Sequence, residues 1–121
     1  MKELVEKAEA IAAMAYAPYS NYQVGAVVRT TDGREFEGVN VENAAYPLGV
    51  CAEKSAIVSA VAAGYGPGDL VAIGINASPC GGCRQWLHEF RIGAVSFRCE
   101  DGSIATYTAA ELLPDTWNLP T

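Results

Sequence analysis

The 121-residue chain holds a single histidine, only eight lysines and arginines, and no run of basic residues. Set against fourteen acidic side chains, this shortage leaves a net charge of −6. A long polyanion needs a positive footprint on its partner, so nucleic acid and anionic membrane surfaces are disfavoured and a small neutral substrate fits better. No apolar stretch approaches the roughly 20 residues that cross a bilayer, so no membrane partner is expected. The opening MKELVEKAEAIAAMAYAPYS lacks the charged stub and apolar run of a secretory leader, its charges being spread along an amphipathic pattern. The expected location is the reducing cytoplasm, where four cysteines point to thiol or metal chemistry and not to disulfides. Repeats, low-complexity tracts and linkers are also missing, so residues 1–121 read as one domain. The glycine-rich GYGPGD (64–69) lacks the Lys and Ser/Thr of a phosphate loop and reads as a plain loop.

What the chain has in quantity is apolar side chains. Half its residues are hydrophobic and its mean hydropathy is positive. Folding of so small a domain leaves roughly a third of its unfolded surface exposed. Part of the apolar surface is therefore expected between the subunits of a homo-oligomer.

Periodicity predicts a helix over roughly 3–16, with Leu4, Ala8, Ile11, Ala12 and Ala15 on one stripe, ended by Pro18 and its turn-forming neighbours. QVGAVVRT (23–30) and REFEGVNV (34–41) read as strands joined by the turn TDG. CAEKSAIVSAVAAG (51–64) reads as a helix stopped by Gly64, and LVAIGIN (70–76) as a buried strand. SPCGGCRQWLHEF (78–90) opens a further helix, with Ser78 as N-cap and Pro79 at the first helical position. GAVSFRC (93–99) and IATYT (104–108) are strands about the turn EDGS, and AAELLP (109–114) is a short closing helix. The order α-β-β-α-β-α-β-β-α predicts an α/β fold, a three-layer α-β-α sandwich with a mixed five-stranded sheet.

This layout puts Cys51 at the start of one helix and Cys80 and Cys83 in the first turn of another. Helix N-termini carry free N–H groups and a partial positive charge, which favour thiolate over thiol. On its own C-G-G-C is ambiguous between a redox pair, one arm of a zinc ribbon and two structural cysteines. No second C-x-x-C completes a ribbon, and a redox pair leaves C-A-E (51–53) without a purpose. Three cysteine ligands would leave the fourth position of zinc open, as catalytic sites do. Glu53, two residues along the helix from Cys51, is placed to accept a proton without being a ligand. His88 reads as a surface or interface residue. Cys99 reads as a buried strand cysteine, since a fourth thiolate would close the site.

C-A-E followed by P-C-G-G-C (79–83) follows the zinc-deaminase signature H-x-E…P-C-x-x-C, with cysteine in place of histidine. Together with AYAPYSNYQVGA (15–26), GVNVENAAY (38–46), CAEKSAI (51–57), SPCGGCRQ (78–85) and ELLP (111–114), nearly the whole chain resembles the small homotetrameric zinc-dependent cytidine deaminases. The resemblance implies one Zn2+ per chain on Cys51, Cys80 and Cys83. It implies Glu53 as the group that carries a proton from the attacking water to ring N3 and on to the departing amino group. The reaction so implied converts cytidine and deoxycytidine to uridine and deoxyuridine in pyrimidine salvage. Asn40 and Glu42 match the pair that holds the ribose hydroxyls, Tyr22 the ring that stacks on the base where relatives carry Phe, and Ala52 a further substrate-binding position. Tyr46 and Trp117 match positions that complete a neighbouring subunit's site, Trp117 again replacing Phe. An ionised carboxylate accepts hydroxyls and repels phosphate, which favours a free nucleoside.

Two departures from the family pattern stand out. Lys54 takes the place of an Arg that tempers the zinc-ligand sulfurs, keeping the charge but losing the fork. GINASPC (74–80) is also shorter than the usual approach to S-P-C. Other readings remain open at this point. One is a deaminase of another aminopyrimidine nucleoside such as a blasticidin-type antibiotic, whose relatives lose the N-x-E pair kept here. Others are a non-catalytic zinc or redox module, and an RNA- or DNA-base editor, against which the charge stands.

Overall fold

The computed structural model describes residues 1–120. Gly25–Thr30 (β1) and Glu35–Val39 (β2) form an antiparallel hairpin around Gly33, whose φ of 89° suits a residue without a Cβ. β1 also pairs antiparallel with β3 (Leu70–Ile75), β3 parallel with β4 (Ala94–Arg98), and β4 antiparallel with β5 (Ile104–Tyr107). The sheet is therefore mixed and five-stranded, in the order β2-β1-β3-β4-β5.

Strand side chains alternate between the two faces, and both are apolar. Val27 and Ala72 point to one face, where Leu4 and Ala8 of α1 (Lys2–Ile11) cover them. Ala26, Val28, Ile73, Ile75, Val95 and Phe97 point to the other. There they meet Ala52, Ala56, Ile57 and Ala60 of α2 (Ala52–Ala62) and Leu87 of α3 (Gly81–Glu89). The short α4 (Ala109–Leu112) extends that layer. It is started by a capping box in which the Glu111 N–H donates to Thr108 Oγ1 at 3.0 Å and the Thr108 N–H to Glu111 Oε1 at 2.8 Å. The three-layer sandwich and its mixed sheet are as the sequence predicts.

Two glycines let the helices lie close to the sheet. A Cβ on Gly38 of β2 would strike the Ala52 carbonyl oxygen and the Ala56 nitrogen of α2. A Cβ on Gly74 of β3 would strike the backbone of Leu4 and Val5 in α1. The first contact sets the height of the α2 N-terminus above the strands.

Several boundaries differ from the sequence prediction. α1 stops at Ile11 and passes through a 3₁₀ turn, Ala12–Met14. The chain then leaves helical geometry because Tyr16 pairs with a distant segment: its N–H donates to the Asn40 carbonyl at 3.1 Å, and its own carbonyl accepts from Glu42 N–H at 2.8 Å. α3 starts at Gly81 with Cys80 as N-cap, not at Pro79 with Ser78 as cap. The Cys80 carbonyl accepts the first helical bond, from Arg84 N–H at 3.0 Å, whereas the Pro79 carbonyl is taken by the Arg84 side chain. β1 begins two residues late because side chains claim the backbone of 23–25. Asn40 Oδ1 accepts from Val24 N–H, Asn76 Nδ2 donates to the Gln23 carbonyl, and Asn76 Oδ1 accepts from Gly25 N–H.

Candidate active site

The N-termini of α2 and α3 converge. Cys51 is the N-cap of α2 and Cys80 that of α3, both in extended backbone, and Cys83 lies one turn further along α3. The three sulfurs lie within 4.8 Å of one another, with 3.9 Å between those of Cys51 and Cys80. Thiolates held about 2.3 Å from a tetrahedral zinc stand about 3.8 Å apart, so the observed spacing fits that ion. Sulfur donors in a tetrahedral frame are also the chemistry zinc selects.

Burial pushes the Cys83 and Cys51 thiols up, and the neighbouring Glu53 and cysteine charges add to the rise. Burial also raises Cys80, but hydrogen bonds from the Cys83 backbone and from both other cysteines outweigh it and leave that thiol lowered. Glu53 is only 4% exposed, and burial lifts its carboxyl above the usual range against the pull of its own backbone N–H, Cys83 and the Lys54 charge. Lys54 is half-buried, and its Nζ stands 3.7 Å from where a Cβ on Gly82 would be, over the first turn of α3. That ammonium thus accompanies the thiol cluster from the α3 side. Arg84 does not substitute for it: Nε donates to the Pro79 carbonyl at 2.9 Å, Nη2 to Ser78 Oγ at 3.2 Å and Nη1 to the Leu112 carbonyl at 3.1 Å. It fixes the approach to Cys80 instead.

A cavity of about 280 Å³ opens over the cluster. Cys51, Ala52, Glu53 and Cys80 line one side, and Tyr22, Asn40 and Glu42 the other. Asn40 holds the Tyr22–Val24 backbone, accepting from Val24 N–H and donating to the Tyr22 carbonyl, each at 2.8 Å. One N–H of its amide remains for a ligand. Glu42 Oε1 accepts from the Tyr19 and Ser20 N–H groups at 3.0 and 3.1 Å, and Oε2 accepts from the Ser20 hydroxyl. That hydroxyl, followed by the two backbone donors, holds the Glu42 carboxyl below its ordinary value.

A second hollow of about 320 Å³ shares Ser20 and Glu42 with the first and is walled by Tyr19 and Tyr46. Tyr46 is 77% exposed and meets the Tyr19 ring edge-on, centroids 6.2 Å apart. Trp117 is 67% exposed and lies outside both hollows of its own chain. His88 lies apart from the thiols and anchors that tail, its Nε2 being 3.0 Å from both Thr116 Oγ1 and Asn118 Oδ1. Cys99 falls just past the end of β4, half-buried and outside the sulfur cluster. Ser20 lines both hollows, and sequence reasoning assigned it no role. Its partner Glu42 is 22 residues away, and no local pattern links them.

Fold and site together define a zinc-dependent enzyme built on an α-β-α sandwich. Residues 1–99 match the cytidine and deoxycytidylate deaminase zinc-binding region, and the chain belongs to that family. The cytidine deaminase of Sporosarcina psychrophila is 34% identical over 98% of this chain and 91% of its own length. That of Halalkalibacterium halodurans is 38% identical over 94% and 88%. The crystal structure of cytidine deaminase from Burkholderia pseudomallei superposes with a TM-score of 0.87 at 42% identity, covering 96% of this chain and 98% of that one. The Mycobacterium tuberculosis enzyme gives 0.84 at 34% identity, over 98% and 97%.

Proposed function

We propose that this protein hydrolyses the exocyclic amino group of cytidine and deoxycytidine, releasing ammonia and giving uridine and deoxyuridine. It does so in cytoplasmic pyrimidine salvage as a homotetramer with one Zn2+ per chain. The observation that carries the reading is the buried Glu53 carboxylate beside the three-thiol cluster, in one cavity with Asn40 and Glu42.

Cys51, Cys80 and Cys83 would hold the ion, which when bound supplies the Lewis acidity that makes water a nucleophile near neutral pH. The remaining work falls to the chain's own side chains. Glu53 takes a proton from the water that adds to C4 and delivers it to ring N3. It then passes the second proton to the amino nitrogen as the C4–N bond breaks. Its pKa, raised by burial, suits a group that must both take and return a proton. Tyr22 lies against the pyrimidine face, the Asn40 amide and Glu42 carboxylate meet the sugar hydroxyls, and the Ala52 backbone borders the base. The ionised Glu42 disfavours a phosphorylated sugar.

Exposed Tyr46, Leu48 and Trp117, with Val58 and Val61 on the outward side of α2, support association. In the proposed tetramer Tyr46 and Trp117 complete a neighbour's site.

The test is the fall in ultraviolet absorbance on mixing cytidine with the zinc-loaded protein, paired with ammonia release. Glu53→Gln is expected to keep about one zinc per chain while losing at least about 10²-fold in turnover. A zinc-loaded protein inert toward both cytidine and deoxycytidine would sink the assignment and turn attention to another aminopyrimidine nucleoside.

A further inference from the structure

We infer that Ser20 is a positioning residue whose hydroxyl sets the grip of Glu42 on the sugar. This rests on the proposed role of Glu42 toward the ribose.

Glu42 lies beyond the end of β2 in a stretch without regular structure, on a side chain with three rotatable bonds. Left to itself such a carboxylate would sample many rotamers, and ordering it on binding would weaken affinity. Here it is ordered in advance by the 19–20 turn. Two of the three donors are backbone N–H groups, of Tyr19 and Ser20, and both converge on Oε1. The third is the Ser20 hydroxyl, which alone engages Oε2. The same hydroxyl accepts from the Tyr22 N–H at 3.0 Å. One oxygen therefore links the carboxylate to the backbone of the proposed base-stacking residue, whose carbonyl is fixed in turn by Asn40.

An ionised carboxylate offers about four acceptor positions. Oε1 has two filled and Oε2 has one, and among the described residues no second donor bonds Oε2. Ser20 thus fixes the oxygen that is left for the ligand. Glu53 and the thiols stand on α2 and α3 and take no part in this network, so removing the hydroxyl changes binding and not the chemical step.

The experiment compares cytidine with 2′,3′-dideoxycytidine, which offers Glu42 no ring hydroxyl, on zinc-loaded enzyme. For the dideoxy compound either kcat/KM or, if it is not turned over, its competitive inhibition constant is read. Ser20→Ala should raise the KM for cytidine about 10-fold, the size of a lost charge-assisted hydrogen bond, with kcat within about twofold. Affinity for the dideoxy compound should stay unchanged, and Ser20→Thr should restore the cytidine KM to within about threefold. In a Glu42→Gln background Ser20→Ala should add less than about twofold. Equal losses for both ligands, or full additivity with Glu42→Gln, would reduce Ser20 to ordinary loop packing and overturn the inference. If the unmutated enzyme treats the two ligands alike, the Glu42 assignment itself fails, and that result is distinct because it appears before any variant is made.

Discussion

Lys54 shows how one side chain can tune a site without entering it. Its ammonium lies over the first turn of α3, the helix that carries Cys83, and its charge acts on the buried Glu53 carboxylate. Lys54→Ala is expected to weaken zinc binding about 10-fold, read by competition with a chromophoric chelator, whereas Lys54→Arg should hold or strengthen it. Cys83 is fully buried and its loss should be harsher. Cys83→Ser is expected to bring metal content well below one per chain by elemental analysis and to lower the melting temperature. At this scale much of the site was legible. The spacing of Cys51, Glu53, Cys80 and Cys83 stands in the sequence, and the structure clusters the three thiols and sets Cys51, Glu53 and Cys80 with Tyr22, Asn40 and Glu42 around one cavity. What could not be read was the double duty of Asn40, whose amide fastens the Tyr22–Val24 backbone, or the Ser20 bridge. Both depend on long-range hydrogen bonds that leave no local pattern.

Among the elements, α1 is tied to the hairpin by Lys7, which meets Glu35 of β2 at 2.6 Å, and Arg29 of β1 meets the same carboxylate at 2.8 Å across the hairpin. Lys7 first, and then Arg29, hold the Glu35 carboxyl below its ordinary value. A carboxylate lowered in the folded state contributes stability above its unfolded value, about 4.3, and loses it as pH falls through the lower folded one. Melting temperature should therefore fall on acidification below about pH 4.5, with a shallower slope in Glu35→Gln. The half-exposed setting limits the effect of that substitution to about 1 kcal/mol at neutral pH. Element existence and order followed from apolar periodicity and turn residues, whereas the ends did not. Pro79 carries every local sign of a first helical residue, yet Arg84 takes its carbonyl and moves the cap to Cys80. α1 likewise yields to the pairing of Tyr16 with Asn40 and Glu42, which a helical stripe cannot announce.

For the molecule as a whole, α2 has apolar side chains on both its faces. Ala56, Ile57 and Ala60 pack on the sheet, while Val58 and Val61 remain exposed. A helix hydrophobic all round is normally buried on all sides, which is the physical case for the proposed assembly. Val58→Glu combined with Val61→Glu should leave the monomer fold intact by circular dichroism. Light scattering should then report a smaller species with lower activity per chain. The apolar excess was plain in composition, but which surface carries it was not, because a buried-helix pattern looks the same whether strands or a second subunit cover it.

Gly38 and Gly74 hold the helices close to the sheet, and a population of random variants should separate them from the chemistry. Any side chain at either position drives a helix off its strand, so such variants should be missing from the soluble fraction altogether. Variants at Glu53 or Ser20 should accumulate as folded protein and be depleted only when growth depends on turnover. A screen scored twice, once for abundance and once for activity, would thus separate the positions that build the cavity from those that use it.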